Sequence, residues 1–173
     1  AEVQMPAAGR YAVGVYRAEG YSAYADEENV IARAYAIRSL FVSHKKYIYK
    51  NDRFAGSLRG MFADVSAEAV TAAQAICAPY PERGFHTNSD HYAANYSHFL
   101  ARGIGGTLDD IDASLKTYAE DAEKTAFLRG TKIAMEGFAE MILGYAAEAE
   151  RMAALSADDD EKQHFAEIAA CCR

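Results

Sequence analysis

The chain has no tryptophan and only three cysteines and three prolines in 173 residues. Each shortage excludes something. Cys77, Cys171 and Cys172 cannot pair evenly, and the adjacent two are poorly placed to bridge each other, so no disulfide framework is expected and a reducing compartment fits. No apolar run approaches the roughly 20 residues that span a bilayer, and the opening AEVQMPAAGR lacks the charged-then-apolar order of a secretory signal. The chain therefore reads as soluble and cytoplasmic. Eighteen basic residues stand against 25 acidic ones, a net charge of −7, and Lys45-Lys46 is the one basic cluster, which argues against nucleic acid and anionic membrane as partners. The chain also lacks a phosphate-cradling glycine loop, a nucleophile elbow, a CxxC pair, an HExxH pair and any repeat of solenoid length.

What remains is alanine, tyrosine and helical periodicity. Met5 to Glu19 reads as a short helix closed near Gly20. Asp26-Glu27-Glu28 is expected on the first turn of a second helix, in which Val30, Ala34, Ile37 and Phe41 recur at three and four residues to about His44. Residues 47–56 change period and carry the turn signal Asn51-Asp52, predicting a short extended or hairpin segment. Ser66 opens a third helix through Cys77, which Pro79 and Pro81 stop. A short helix from Asn95 or Ser97 ends at Gly103. Thr107, three residues before Asp110, opens the next, which runs to about Asp121, with first-turn acids complementing its dipole. The pattern from Ala122 to Leu155 is long, and Gly130, Gly137 and Gly144 recur at seven residues, marking one face for close helix approach. Asp158 to Asp160 cap a last helix with Phe165, Ile168 and Ala169 inward.

The densest chemistry lies in residues 84–106, which hold three of the five histidines. His86, His91 and His98 are spaced by five and seven, which is not a same-face helical set, so a zinc or iron site is the weaker reading and none is assigned. His91, among Asp90, Tyr92 and Asn95, is the best candidate for touching a ligand, and Tyr47, Tyr49, Tyr80, Tyr92 and Tyr96 suit a pocket wall or an interface. Cys77 and the Cys171-Cys172 pair, at helix ends, read as packing residues.

In order, these pieces resemble the glycyl radical enzymes, whose pyruvate formate-lyase-like domain begins with a helical region. Glu19-Gly20, the helix around Ile31 to Ile37, and Ile48…Asp52…Gly56 match its opening. His91, Asn95-Tyr96, Leu100 and Gly103 resemble its H-x-x-x-D-Y-x-x-x-L-x-x-G motif, with Asn95 in place of the acid. Glu136, Tyr145-Ala146 and Ile168-Ala169-Ala170-Cys171-Cys172 are similar to its later helices.

The resemblance implies a mainly α chain, residues 1–173 forming one helical region at the N-terminal side of a larger α/β barrel. It implies a lyase or dehydratase acting on a small polar substrate by radical hydrogen abstraction. The interval from Gly56 to His91 is shorter than in the larger members, so the substrate class stays open. The thiyl cysteine and the glycyl radical would lie in further polypeptide, leaving no catalytic residue and no bound cofactor here; a chain that starts at Ala1 and stops just after a helical pattern fits a fragment. A radical S-adenosylmethionine activating enzyme, the rest of the barrel and a second copy in a homodimer are the implied partners. In the dehydratase branch the motif histidine contacts a substrate hydroxyl, so His91 inherits a substrate-binding role, with Asn95, Tyr96 and Phe85 beside it. Two other readings stay open: a free-standing helical interaction domain, and a histidine-metal protein.

Overall fold

A computed structural model of the protein describes residues 12–52, 55–60, 65–79 and 95–173. Among the described residues there are six α-helices, α1 Ala12–Ser22, α2 Asn29–Ser43, α3 Ala67–Cys77, α4 Tyr96–Thr117, α5 Ala122–Leu155 and α6 Asp159–Cys171, with a 3₁₀ turn at Leu58–Gly60. No strand occurs among the described residues.

The 34-residue α5 is the axis, and the seven-residue glycine repeat is its seam with α2, at Gly130 and Gly137, and with Lys46 just beyond α2, at Gly144. A Cβ on Gly130 would stand 3.2 Å from the Val30 carbonyl oxygen, one on Gly137 3.0 Å from the Arg38 Cα, and one on Gly144 2.9 Å from the Lys46 Cε. Glycine here removes the atoms that would hold the two backbones apart. Arg38 locks the seam polarly, donating to Glu136 at 3.2 Å and to Glu140. Phe41 of α2 and Phe99 of α4 both lie against Phe138 of α5, at centroid distances of 5.8 and 6.4 Å. A second close approach joins α1 to α2: a Cβ on Gly20 would fall 2.5 Å from the Tyr35 carbonyl oxygen. Gly20 therefore serves packing, and α1 continues past the expected stop to Ser22.

At the other end of α5, Tyr145 and Ala149 form a core with Phe165, Ile168 and Ala169 of α6 and with Ile48 from the connection after α2. The expected extended segment is a non-helical connection that packs on this core and makes no β pairing among the described residues. Its donors are used locally and by α5. Tyr49 donates its N–H to the Asp52 carboxylate at 2.9 Å, Asp52 returns its own to the Tyr49 carbonyl at 3.0 Å, and the Tyr145 hydroxyl donates to the Ser57 carbonyl at 3.0 Å.

Two helix starts and one helix end differ from expectation. The acids 26–28 precede α2 and do not lie in its first turn, because residues 23–27 fold back in turns onto the end of α1 (Ala23 N–H to Glu19, Glu27 N–H to Tyr24). Thr107 is no cap: its hydroxyl donates 2.7 Å back to the Gly103 carbonyl from inside a helix already under way. The helix that opens before Thr107 ends at Thr117, short of Asp121, while α5 starts at Ala122 as expected, Asp121 capping it by accepting the Lys124 N–H at 3.1 Å. Ser66 and Asp158 cap α3 and α6 as expected.

Candidate functional site

The α4 helix is bent at Gly103, whose φ of 63° and ψ of −173° suit glycine alone. The short helix expected to end there is thus the first segment of α4. Asn95 caps it, its side-chain oxygen accepting the His98 N–H at 3.1 Å. Across the bend, Arg102 donates to Asp110 at 2.7 and 3.2 Å, and His98 Nε2 stands 3.4 Å from the same carboxylate. The guanidinium holds the Asp110 carboxyl below its usual range. Asp112 pairs with Lys132 of α5 at 2.6 Å, so Asp110 and Asp112 serve ion pairs, where dipole complementarity was the expectation.

Of the expected site residues, Asn95 and Tyr96 lie at the start of α4, whereas Phe85 and His91 fall outside the described residues, as do His86, Tyr80 and Tyr92. Asn95 performs the task an aspartate would at this N-cap, a neutral oxygen accepting one backbone N–H. Tyr96 and Leu100, 70% and 81% exposed, stand four residues apart and share one face of α4. No group of three metal-ligating side chains stands together among the described residues. No helix there is long and apolar enough to cross a membrane.

Cys171 is exposed, against the packing role expected, because it faces away from α5 on the last turn of α6. Cys172 caps α6 and packs on the Tyr145–Phe165 core, and burial pushes its thiol up. Cys77 is half-buried, its thiol likewise pushed up by burial.

Sequence reasoning missed a polar cluster at the end of α2. Lys46 donates to the carbonyls of Phe41, Val42 and His44 at 2.8, 2.9 and 2.8 Å, supplying donors to a helix end that has none of its own. Burial lowers its ammonium to about 8. His44, 2% exposed, donates from Nδ1 to the Leu40 carbonyl at 2.8 Å, while its enclosed Nε2 has no partner, and burial pushes the imidazole down. The signal was present in Lys45-Lys46 just after a helix end, and Gly144 makes the notch that Lys46 fills.

A family model described as "pyruvate formate lyase-like" matches residues 60–173. No curated protein matches the chain. Three solved structures share its fold. The glycerol-bound form of the B12-independent glycerol dehydratase from Clostridium butyricum is 16% identical, with a TM-score of 0.77, over 92% of this chain and 28% of that one. A glycyl radical enzyme from Archaeoglobus fulgidus is 19% identical, with a TM-score of 0.73, over 95% and 29%. A structure described for 1,2-propanediol dehydration in Roseburia inulinivorans is 16% identical, with a TM-score of 0.77, over 93% and 26%. The chain thus spans under a third of the length of each of these structures. With two thirds of its residues under the family model, and with its helical arrangement repeated in glycyl radical enzymes, the chain belongs to the pyruvate formate lyase-like family.

Proposed function

We propose that this chain is the N-terminal helical portion of a glycyl radical lyase or dehydratase that acts on a small polar substrate. The observation that carries the reading is the agreement of the family match with the helical fold over 92–95% of the chain. In this reading residues 1–173 form one helical region that closes against a larger barrel. The remaining polypeptide supplies the thiyl cysteine and the glycyl radical, which together abstract hydrogen from the substrate, so the chain alone is catalytically silent. A radical S-adenosylmethionine activating enzyme installs the radical. The whole enzyme works as a homodimer in the cytoplasm of an anaerobically growing cell.

His91 binds the substrate, with Phe85, Asn95 and Tyr96 beside it. Support comes from the motif that continues from His91 into Asn95 and Tyr96, of which Asn95 caps α4. The test is His91→Ala in the full-length enzyme. Turnover is expected to fall at least ~100-fold, the scale of one positioned acid–base or hydrogen-bonding group, while the glycyl radical signal forms normally in electron paramagnetic resonance. Unchanged turnover removes His91 from the site.

A further inference from the structure

His44, 2% exposed at the end of α2, is a buried titratable group with no part in the proposed chemistry. Its Nδ1 lies 2.8 Å from the Leu40 carbonyl oxygen, which can only accept, so Nδ1 carries the proton of the neutral ring. Nε2 is then an enclosed acceptor that no donor meets. Two elements close around the ring. Tyr145 of α5 stands on one side, with ring centroids 6.2 Å apart. The 3₁₀ turn crosses another: a Cβ on Gly60 would fall 3.1 Å from His44 Cδ2, the ring carbon bonded to Nε2, and 1.9 Å from the Lys45 carbonyl oxygen. Only glycine lets residues 57–60 lie this close, as a strap over His44 and Lys45.

A second proton on this imidazole finds no counter-charge. Lys45 and Lys46 adjoin it in the chain, and Arg59 lies in the strap. Tyr145 and Glu148 are the titratable groups of α5 on this side, with Cys172 at the end of α6 behind Tyr145. Glu148 is engaged by Arg151 at 2.7 and 2.8 Å. The carbonyls at the end of α2, which favour a cation, already receive the Lys46 ammonium. An enclosed Nε2–H is therefore an unpaired buried donor on a charged ring, and it forces some wall to yield. Helices α2 and α5 are joined by the glycine seam and by the Arg38 ion pairs. The strap is a three-residue turn, held by the Tyr145 hydroxyl on the Ser57 carbonyl and by Arg59 over the Tyr47 ring at 4.8 Å. Opening there admits water to Nε2 at the smallest loss of packing.

We infer that residues 57–60 are an acid-released strap: protonation of His44 at Nε2 lifts the Leu58–Gly60 turn from the end of α2 while α2 and α5 stay packed. The proton comes from solvent, and the strap closes again when it leaves. Burial holds the imidazole of the closed form below its ordinary value, whereas the open form returns it to about 6.5, so opening is favoured as pH falls through that value. The device stands apart from the proposed radical chemistry, since it uses neither His91 nor any further polypeptide.

The test is amide hydrogen exchange of the 173-residue protein at pH 7.5 and pH 5.5, read as protection factors so that the intrinsic pH dependence of exchange cancels. Gly60, buried under the closed strap, is expected to lose about 10-fold in protection between the two. Ala149, buried in α5, is expected to keep its own. In His44→Phe, which keeps a ring in place with nothing to protonate, Gly60 is expected to be equally protected at both values. Unchanged protection of Gly60 in the wild type overturns the proposal. So does an equal loss at Ala149, the mark of general acid unfolding, or an equal loss in His44→Phe. Should that variant fail to fold, the wild-type imidazole resonances decide. A His44 midpoint below about 6.5 is expected, and a midpoint at or above it overturns the proposal, since the proton would then not favour the open strap.

Discussion

His44 and Lys46 sit two residues apart, both are pushed below their ordinary values by burial, and both make stability depend on pH in the same sense. For each, the unfolded chain binds the proton more tightly than the fold does, so stability rises with pH between the folded and unfolded values. His44 contributes full stability above the unfolded histidine value near ~6.5 and loses it as pH falls, because protonation would place an N–H at the enclosed, partnerless Nε2. Lys46 contributes a further gain as pH rises from about 8 toward the ordinary lysine value. In Lys46→Met that alkaline gain is expected to vanish from a urea titration repeated between pH 7 and 10; an identical pH profile would contradict the burial of this ammonium. At pH 7 Lys46→Ala is expected to cost about 1.5–3 kcal/mol, the scale of hydrogen bonds to a charged group. It leaves the carbonyls of Phe41 and Val42 in α2, and that of His44 just after it, without this donor.

Between elements the glycines decide, and they divide into those that are needed and those that are not. Gly137→Ala would put a Cβ within 3.0 Å of the Arg38 backbone. The expected cost is about 1–3 kcal/mol from overpacking, exceeding the ~1 kcal/mol that alanine adds to helix propensity. Gly105→Ala, with nothing within 4 Å of the new Cβ, is expected to stabilise by up to ~1 kcal/mol. Denaturation midpoints of the two variants should move in opposite directions; movement in the same direction would mean that α2 and α5 do not meet along this seam. Gly103→Ala is expected to cost about 1–3 kcal/mol through backbone conformation alone, since no atom lies near its Cβ either.

The seven-residue glycine repeat, the caps at Ser66 and Asp158, and the inward Phe165, Ile168 and Ala169 were legible in the sequence because each is a local pattern with one physical meaning. What was not legible depends on partners distant in the chain. Arg38 finds Glu136 and Glu140 about 100 residues away, Asp110 finds Arg102 across a bend, and the 47–56 segment finds the α5–α6 core in place of a strand. Of the candidate site, Asn95 and Tyr96 are placed by the structure, and Asn95 is explained by its cap. His91 rests on its position in a motif.

On the scale of the whole molecule, several large apolar side chains lie outward among the described residues. Tyr96, Leu100, Leu143, Leu155 and the 63% exposed Phe127 are uncovered, and a groove of about 580 Å³ runs between α2 and α5 past Val30, Ile37 and Phe127. The reading as one portion of a larger enzyme takes this surface as the face that meets the barrel; patches of this kind mark interaction surfaces. The most direct test is the mass of the native polypeptide in the source cells, with peptide mapping beyond Arg173. The account predicts a chain several times heavier than 18.9 kDa, carrying a downstream cysteine loop and a C-terminal glycine motif. A native product that ends at Arg173 would contradict it.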